Sequence, residues 1–330
     1  MLDPILPPEL ELLIFDLAAH QWIPSIPGLL LVAKRVREWV EPILYRTLDF
    51  TETDMEGLPS CSLRVIQEIS SCERRAALLR HSAKNIIAPS MSGTDVQQLL
   101  RACPSVENLY LIWGNQLRGC LLLPQPERVT AGQSGITVED TSALVSQAPA
   151  SPPAPAYPPL RHIYCELDSL FDVLRTDFAT HPAFTHLTHL ELFGDPFEDV
   201  LGSELTLAEG YARILGIPRL THLAVNDCPP FDICIQMLSP APAAADGKQC
   251  SGASSKLEVF IVIMHGSNTP LPDVRALQEE PRFVMMEVKE YIRDWQRGRI
   301  GEDDYWMRAE RWVARRRNGD LARDRFVVDS

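Results

Sequence analysis

Leu187-Thr188-His189-Leu190-Glu191-Leu192 and Leu220-Thr221-His222-Leu223-Ala224-Val225 share one pattern, apolar-x-x-apolar-x-apolar. The same hexad runs over Val106 to Leu111, Leu160 to Cys165 and Leu257 to Val262, with a weaker copy from Ala83 to Ala88. A single match means little in a leucine-rich chain. Here each is preceded by turn residues or by helical periodicity, and the order repeats. Short strands alternating with helices predict an α/β fold with a parallel sheet on one side and helices on the other. Side chains alternate across a strand, so the apolar positions that face the core leave the third and fifth positions on the opposite face. The third-position column is Asn85, Asn108, His162, His189, His222 and Val259, and the fifth is Ile87, Tyr110, Tyr164, Glu191, Ala224 and Ile261.

The intervals from Ala83 to Val106 and from Leu160 to Leu187 match a repeat of roughly 20–29 residues. In this the chain resembles an irregular leucine-rich-repeat-like solenoid, expected over residues 49–286. The resemblance implies that the two columns line a concave protein-binding face, with Asn108, Tyr110, His162, Tyr164, His189, Glu191 and His222 open to a partner. Connecting helices are expected at Asp95 to Arg101, at Ser169 to Thr180 with Leu170, Phe171, Leu174 and Phe178 inward, and at Leu207 to Leu215. The family's regular asparagine, which bonds neighbouring backbones, is replaced by Gly114, Asp168, Asp195, Cys228 and His265. Longer intervals hold segments rich in Pro, Ala and Ser, at about 124–159 and 239–255, whose composition predicts disordered insertions.

Ahead of the array, Leu10, Leu13, Ile14, Leu17 and Ala18 follow Pro7-Pro8 at the spacing of an amphipathic helix, with Glu9 and Glu11 at its positive end. A turn at Pro24 to Gly28 precedes Leu29-Leu30-Leu31-Val32, where a second helix is expected to begin. Val36, Trp39, Val40, Ile43 and Leu44 form another stripe, which Pro42 should kink or restart. Leu6-Pro7-Pro8-Glu9-Leu10, Ile14-Phe15, Val32 to Trp39 and Pro42-Ile43-Leu44-Tyr45 together resemble a shortened F-box over residues 1–48. The resemblance implies a helical head that binds the Skp-type adaptor of a cullin ubiquitin ligase through Leu6, Pro7, Leu10, Ile14, Phe15, Val36 and Trp39. The same helices can equally serve as the terminal cap that a stacked array requires, in which case the chain is a scaffold without a ligase.

Composition narrows the classes. A formal charge of −13 disfavours phosphate-collecting surfaces, so neither nucleic acid nor an anionic membrane is an expected partner. The amino terminus carries no basic, apolar and small-residue sequence of a secretory signal. The eight cysteines lack paired short spacings, which predicts reduced thiols in a soluble protein of the cytoplasm or nucleus.

Val288, Tyr291, Ile292 and Trp295 form one helical stripe, and Tyr305, Trp306, Ala309, Trp312 and Val313 form another. Two helices within 287–330 are therefore expected to cap the end of the array. Glu302-Asp303-Asp304 and Arg315-Arg316-Arg317 suit the dipole of the last one, with the arginines solvated. His162, His189 and His222 fall on adjacent strands and could share a metal or sense pH. No cysteine or carboxylate completes the set at zinc-like spacing, so they read as solvated polar rungs, and no metal ligands are assigned. Gly132-Gln133-Ser134-Gly135 fails the nucleophile-elbow spacing. No catalytic residue and no cofactor is assigned, and the expectation is a protein-interaction module rather than an enzyme.

Overall fold

The computed structural model of the chain describes residues 6–51, 61–89, 91–111, 157–194, 197, 206–226, 228–239, 256–264, 275–299, 302–322 and 324–328. Helices α1 (Pro8–Gln21), α2 (Ile26–Leu29) and α3 (Lys34–Leu44) form the head. They close on a small core of Ala19, Ile26, Val36 and Val40. The second helix does not begin at Leu29 as expected, because α2 ends there and a turn leads to α3. Pro42 does not restart the chain as a new helix, since α3 runs on through it to Leu44. It lies within the last turn, where the missing N–H costs a single intrahelical bond.

The remaining elements follow as β1 (Thr47–Asp49), α4 (Leu63–Ser70), α5 (Glu73–Ser82), β2 (Asn85–Ile87), α6 (Gly93–Ala102), β3 (Asn108–Tyr110), β4 (His162–Cys165), α7 (Leu167–Leu170) and β5 (His189–Leu192). Then come α8 (Leu207–Leu215), β6 (His222–Val225), α9 (Phe231–Leu238), β7 (Val259–Met264), α10 (Arg275–Gln278), β8 (Phe283–Glu287), α11 (Tyr291–Arg299), α12 (Tyr305–Arg317) and β9 (Val327–Val328). The nine described strands form one all-parallel sheet in chain order, so the fold is α/β. Every hexad contributes a strand. The fourth positions Ile86, Leu109, Ile163, Leu190, Leu223 and Phe260 are 0–2% exposed. Each such buried side chain contributes about 1.5–3 kcal/mol, and together they bind the sheet to its connecting helices. β1, β8 and β9 are strands that the hexad pattern does not reach. β8 is apolar at four consecutive positions, Phe283-Val284-Met285-Met286, and so shows no alternation.

Helix α8 occupies Leu207–Leu215 as its periodicity predicts, opened by a capping box between Thr206 and Glu209. The helix expected over Ser169 to Thr180 does not form. Asp172 accepts from the Leu174 and Arg175 N–H groups at 3.1 and 3.2 Å, and Asp177 accepts from the Ala179 N–H at 3.1 Å. These local bonds satisfy the backbone in turns instead of a helix. Phe171 and Phe178 still reach the core and pack with Phe184.

The sheet's other face also differs from expectation. Helices α11 and α12 do not sit at the end of the array as caps, but lie across the strands. All-parallel sheets mostly have both faces covered. The face opposite α4–α10 carries Ile87, Tyr110, Tyr164, Ile261, Ile263, Val284 and Met286, all buried against Trp295, Tyr305, Trp306, Ala309 and Val313. Nor is Arg316 solvated. It is 4% exposed and donates to the Phe283 and Glu280 carbonyls at 2.8 and 3.0 Å, clamping the end of α12 to β8.

The insertion expected at 124–159 lies outside the described residues except for 157–159, as does that at 239–255 except for Ser239. Cys103, Cys165 and Cys234 are buried free thiols. Among the described residues, no helix is long and apolar enough to cross a membrane.

Candidate functional site: the strand columns and the head

The two columns read from the sequence are aligned in space. Strand register pairs Asn85 with Asn108, Asn108 with His162, His162 with His189 and His189 with His222. The fifth positions pair Tyr110 with Tyr164, Tyr164 with Glu191 and Glu191 with Ala224. What the sequence misjudges is their exposure. Tyr110 and Tyr164 lie face to face with centroids 4.2 Å apart and are covered by Trp295 and Tyr291. Burial pushes both phenols far above the ordinary tyrosine range, with the Glu191 charge adding to it.

Glu191 is 1% exposed and accepts the Tyr305 hydroxyl from α12. Burial, then the same carboxylate, raises the Tyr305 pKa. Asn108 is half-buried, its amide donating to Asn85 Oδ1 at 2.7 Å, while Asn85 donates to Thr47 Oγ1 at 2.9 Å. Tyr110, Tyr164, Glu191 and His222 are therefore corrected from an open docking face to the interior. The α11–α12 hairpin occupies the place a partner was expected to take.

The histidine column leads into a second cluster, one the sequence could not assemble. His162 and His189 rings lie 4.0 Å apart and His189 and His222 rings 4.1 Å apart. Each histidine of the two Leu-Thr-His-Leu tetrapeptides turns Nδ1 to the preceding threonine, at 2.9 Å for Thr188 and 2.8 Å for Thr221. Nε2 then points to Glu310 of α12, whose Oε1 lies 3.8 Å from His189 and 3.3 Å from His222. Hydrogen bonds from these two imidazoles hold the Glu310 carboxyl down at about 2. The edge of Trp306 walls the pair, 5.0 Å from His189 and 5.9 Å from His222. The carboxylate judged missing from the sequence is thus supplied from the last helix. Its only sequence trace is that Glu310 interrupts the buried stripe of α12.

On the head, Leu6, Pro7, Leu10 and Ile14 are exposed, as an adaptor-binding role requires. Val36 is 1% exposed inside the head's own core and cannot meet a partner without unfolding it. Phe15 and Trp39 are half-buried against that core. Leu13, Leu17, Trp22, Leu31 and Val32 extend the exposed apolar surface beyond the residues first assigned. A charge pair, Arg35 Nε to Glu11 Oε2 at 2.8 Å, ties α1 to α3. Glu41, nearly buried, meets Arg74 of α5 at 3.1 Å and joins the head to the array.

Between the head and the first strands lies a cavity of about 560 Å³, lined by His20, Trp39, Arg46, Lys84, Asn108 and others. Of its cations, Lys84 is paired with Glu107 at 2.8 Å. Comparison with protein-family models, with curated proteins and with solved structures finds no match to this chain.

Proposed function

We propose that the chain is a protein-interaction module, a leucine-rich-repeat-like solenoid whose F-box-like head recruits the Skp-type adaptor of a cullin ubiquitin ligase. The observation that carries this reading is the outward apolar row of α1. Leu10, Leu13, Ile14 and Leu17 are 47, 63, 51 and 53% exposed, while Ala19 on the inner side of the same helix is 0% exposed. A helix that serves only as a cap hides its apolar stripe under the array and turns polar residues outward. This one keeps a contiguous apolar row in water, the kind of surface that marks a binding site. The sequential parallel strands support the solenoid part of the reading. Ligase chemistry then belongs to other subunits, and the chain acts as a carrier of a protein target. The target surface once expected on the strand columns is withdrawn, since the chain's own helices fill it.

Co-purification tests the reading. The full chain is expected to retain a Skp-type adaptor, and Leu13→Asp with Ile14→Asp to lose it with an unchanged melting temperature, because both side chains point to solvent. No retention by the intact chain overturns the ligase reading and leaves a scaffold that binds proteins without it.

A further inference from the structure

The sharpest convergence of ligand atoms among the described residues is at His189, His222 and Glu310, where one ligand atom from each falls within 4.8 Å of the others. We propose that this cluster is a binding site for a single divalent transition ion of the zinc class, which staples α12 to strands β5 and β6.

The Thr188 hydroxyl lies 3.2 Å from the Arg161 carbonyl, and the Thr221 hydroxyl 3.3 Å from the Thr188 carbonyl. A carbonyl only accepts, so in the tautomer that directs each hydroxyl proton to its carbonyl, the hydroxyl accepts from the histidine Nδ1–H. That leaves each neutral imidazole with its lone pair on Nε2. Two lone pairs and a carboxylate then face one another, a donor set that fits a cation between them. A backed Nδ1–H is also the outer bond by which metal-binding histidines are oriented, and the repeated Leu-Thr-His-Leu builds it twice in register.

The spacing agrees. Ligands at 2.0–2.1 Å around a tetrahedral ion lie about 3.3 Å from one another, against 3.3 and 3.8 Å for the two nitrogen-to-oxygen separations here. Glu310 is half exposed, so its side chain can close the remaining gap and a water can complete the coordination. Two nitrogen donors select zinc, cobalt, nickel or copper over magnesium and calcium, which take oxygen ligands.

The full-length chain, stripped with a chelator, is titrated with Zn²⁺ by calorimetry and with Co²⁺ by visible absorption. One equivalent of Zn²⁺ is expected to bind at micromolar or lower Kd, and Co²⁺ to show the ligand-field bands of a low-coordinate site. Glu310→Gln, at a half-exposed position that leaves the core intact, should weaken binding at least tenfold. Thr188→Val with Thr221→Val should weaken it about 10–100-fold by freeing the imidazoles. The proposal is overturned if the parent chain takes up neither ion, or if Glu310→Gln binds as the parent does, which would assign the ion to other histidines.

Discussion

Gln296 Nε2 donates to Asp49 Oδ2 at 2.7 Å, joining α11 to β1 across 247 residues. Arg316, near the end of α12, grips β8. The hairpin of α11 and α12 therefore reaches from the first strand to the penultimate one and closes the sheet face along its length. Within the hairpin, Arg308 pairs with Asp294 through both oxygens at 3.0 and 3.2 Å. The contacts that hold it are therefore long-range in sequence.

The Asp49 contact gives the first expectation. Gln296→Ala strips a donor from a carboxylate that is 2% exposed and also accepts from the Thr51 N–H at 2.8 Å. Leaving a buried acceptor short of a partner costs about 1–3 kcal/mol. Urea denaturation should show that loss, and an unchanged midpoint would mean the contact contributes nothing.

Removal of the hairpin should be far more damaging. A chain ending at residue 287 uncovers Tyr110, Tyr164, Ile87 and Ile261 on one face. An apolar patch of that kind exceeds what a monomer exposes. Strong binding of a hydrophobic dye, with self-association in sedimentation, is the expected behaviour. A monomeric, cooperatively unfolding, dye-silent product would refute the account of the sheet's second face.

Close approach of α8 to Phe197 sets a third expectation. A Cβ at Gly210 would meet the Phe197 ring at 2.6–2.8 Å. Alanine gains about 1 kcal/mol of helix propensity over glycine, whereas overpacking a filled site costs about 1–3 kcal/mol. Gly210→Ala is thus expected to lower the melting temperature in calorimetry, although the same change in an open helix raises it.

Acid should act on the capping box. The Thr206 N–H and hydroxyl hold the Glu209 carboxyl below its ordinary value of 4.5. A carboxyl whose pKa is lowered by folding stabilises the protein above its unfolded value and loses that contribution as the pH falls through the folded one. Glu209→Ala should lower the melting temperature at pH 7, and the gap to the parent should narrow once the pH drops below 4.5. A gap independent of pH would show that the charge plays no part.

Repeated hexads such as Leu187 to Leu192 and Leu220 to Val225 carry strand, register and column order in their side chains, because period-two alternation and apolar anchors are local properties. For this reason the pairing of His189 with His222 and of Tyr110 with Tyr164 is legible in the sequence itself. The turns at Asp172 and Asp177 are not, since an aspartate that bonds its own backbone imitates helical spacing in the apolar residues around it. The fifth column did hold a warning. Ile87, Tyr110, Tyr164, Ala224 and Ile261 are too apolar for an open face, and that mismatch was the available sign of a cover.

What covers them is a matter of tertiary structure alone. The stripes of α11 and α12 show in the sequence as amphipathic helices, yet a stripe states only that something must be buried, not against what. The hairpin sits where the unpaired aromatic face and the buried Asp49 and Glu191 carboxylates are satisfied together. That placement carries Glu310 to two histidines on neighbouring strands, a meeting of residues distant in the chain that local periodicity has no means to encode.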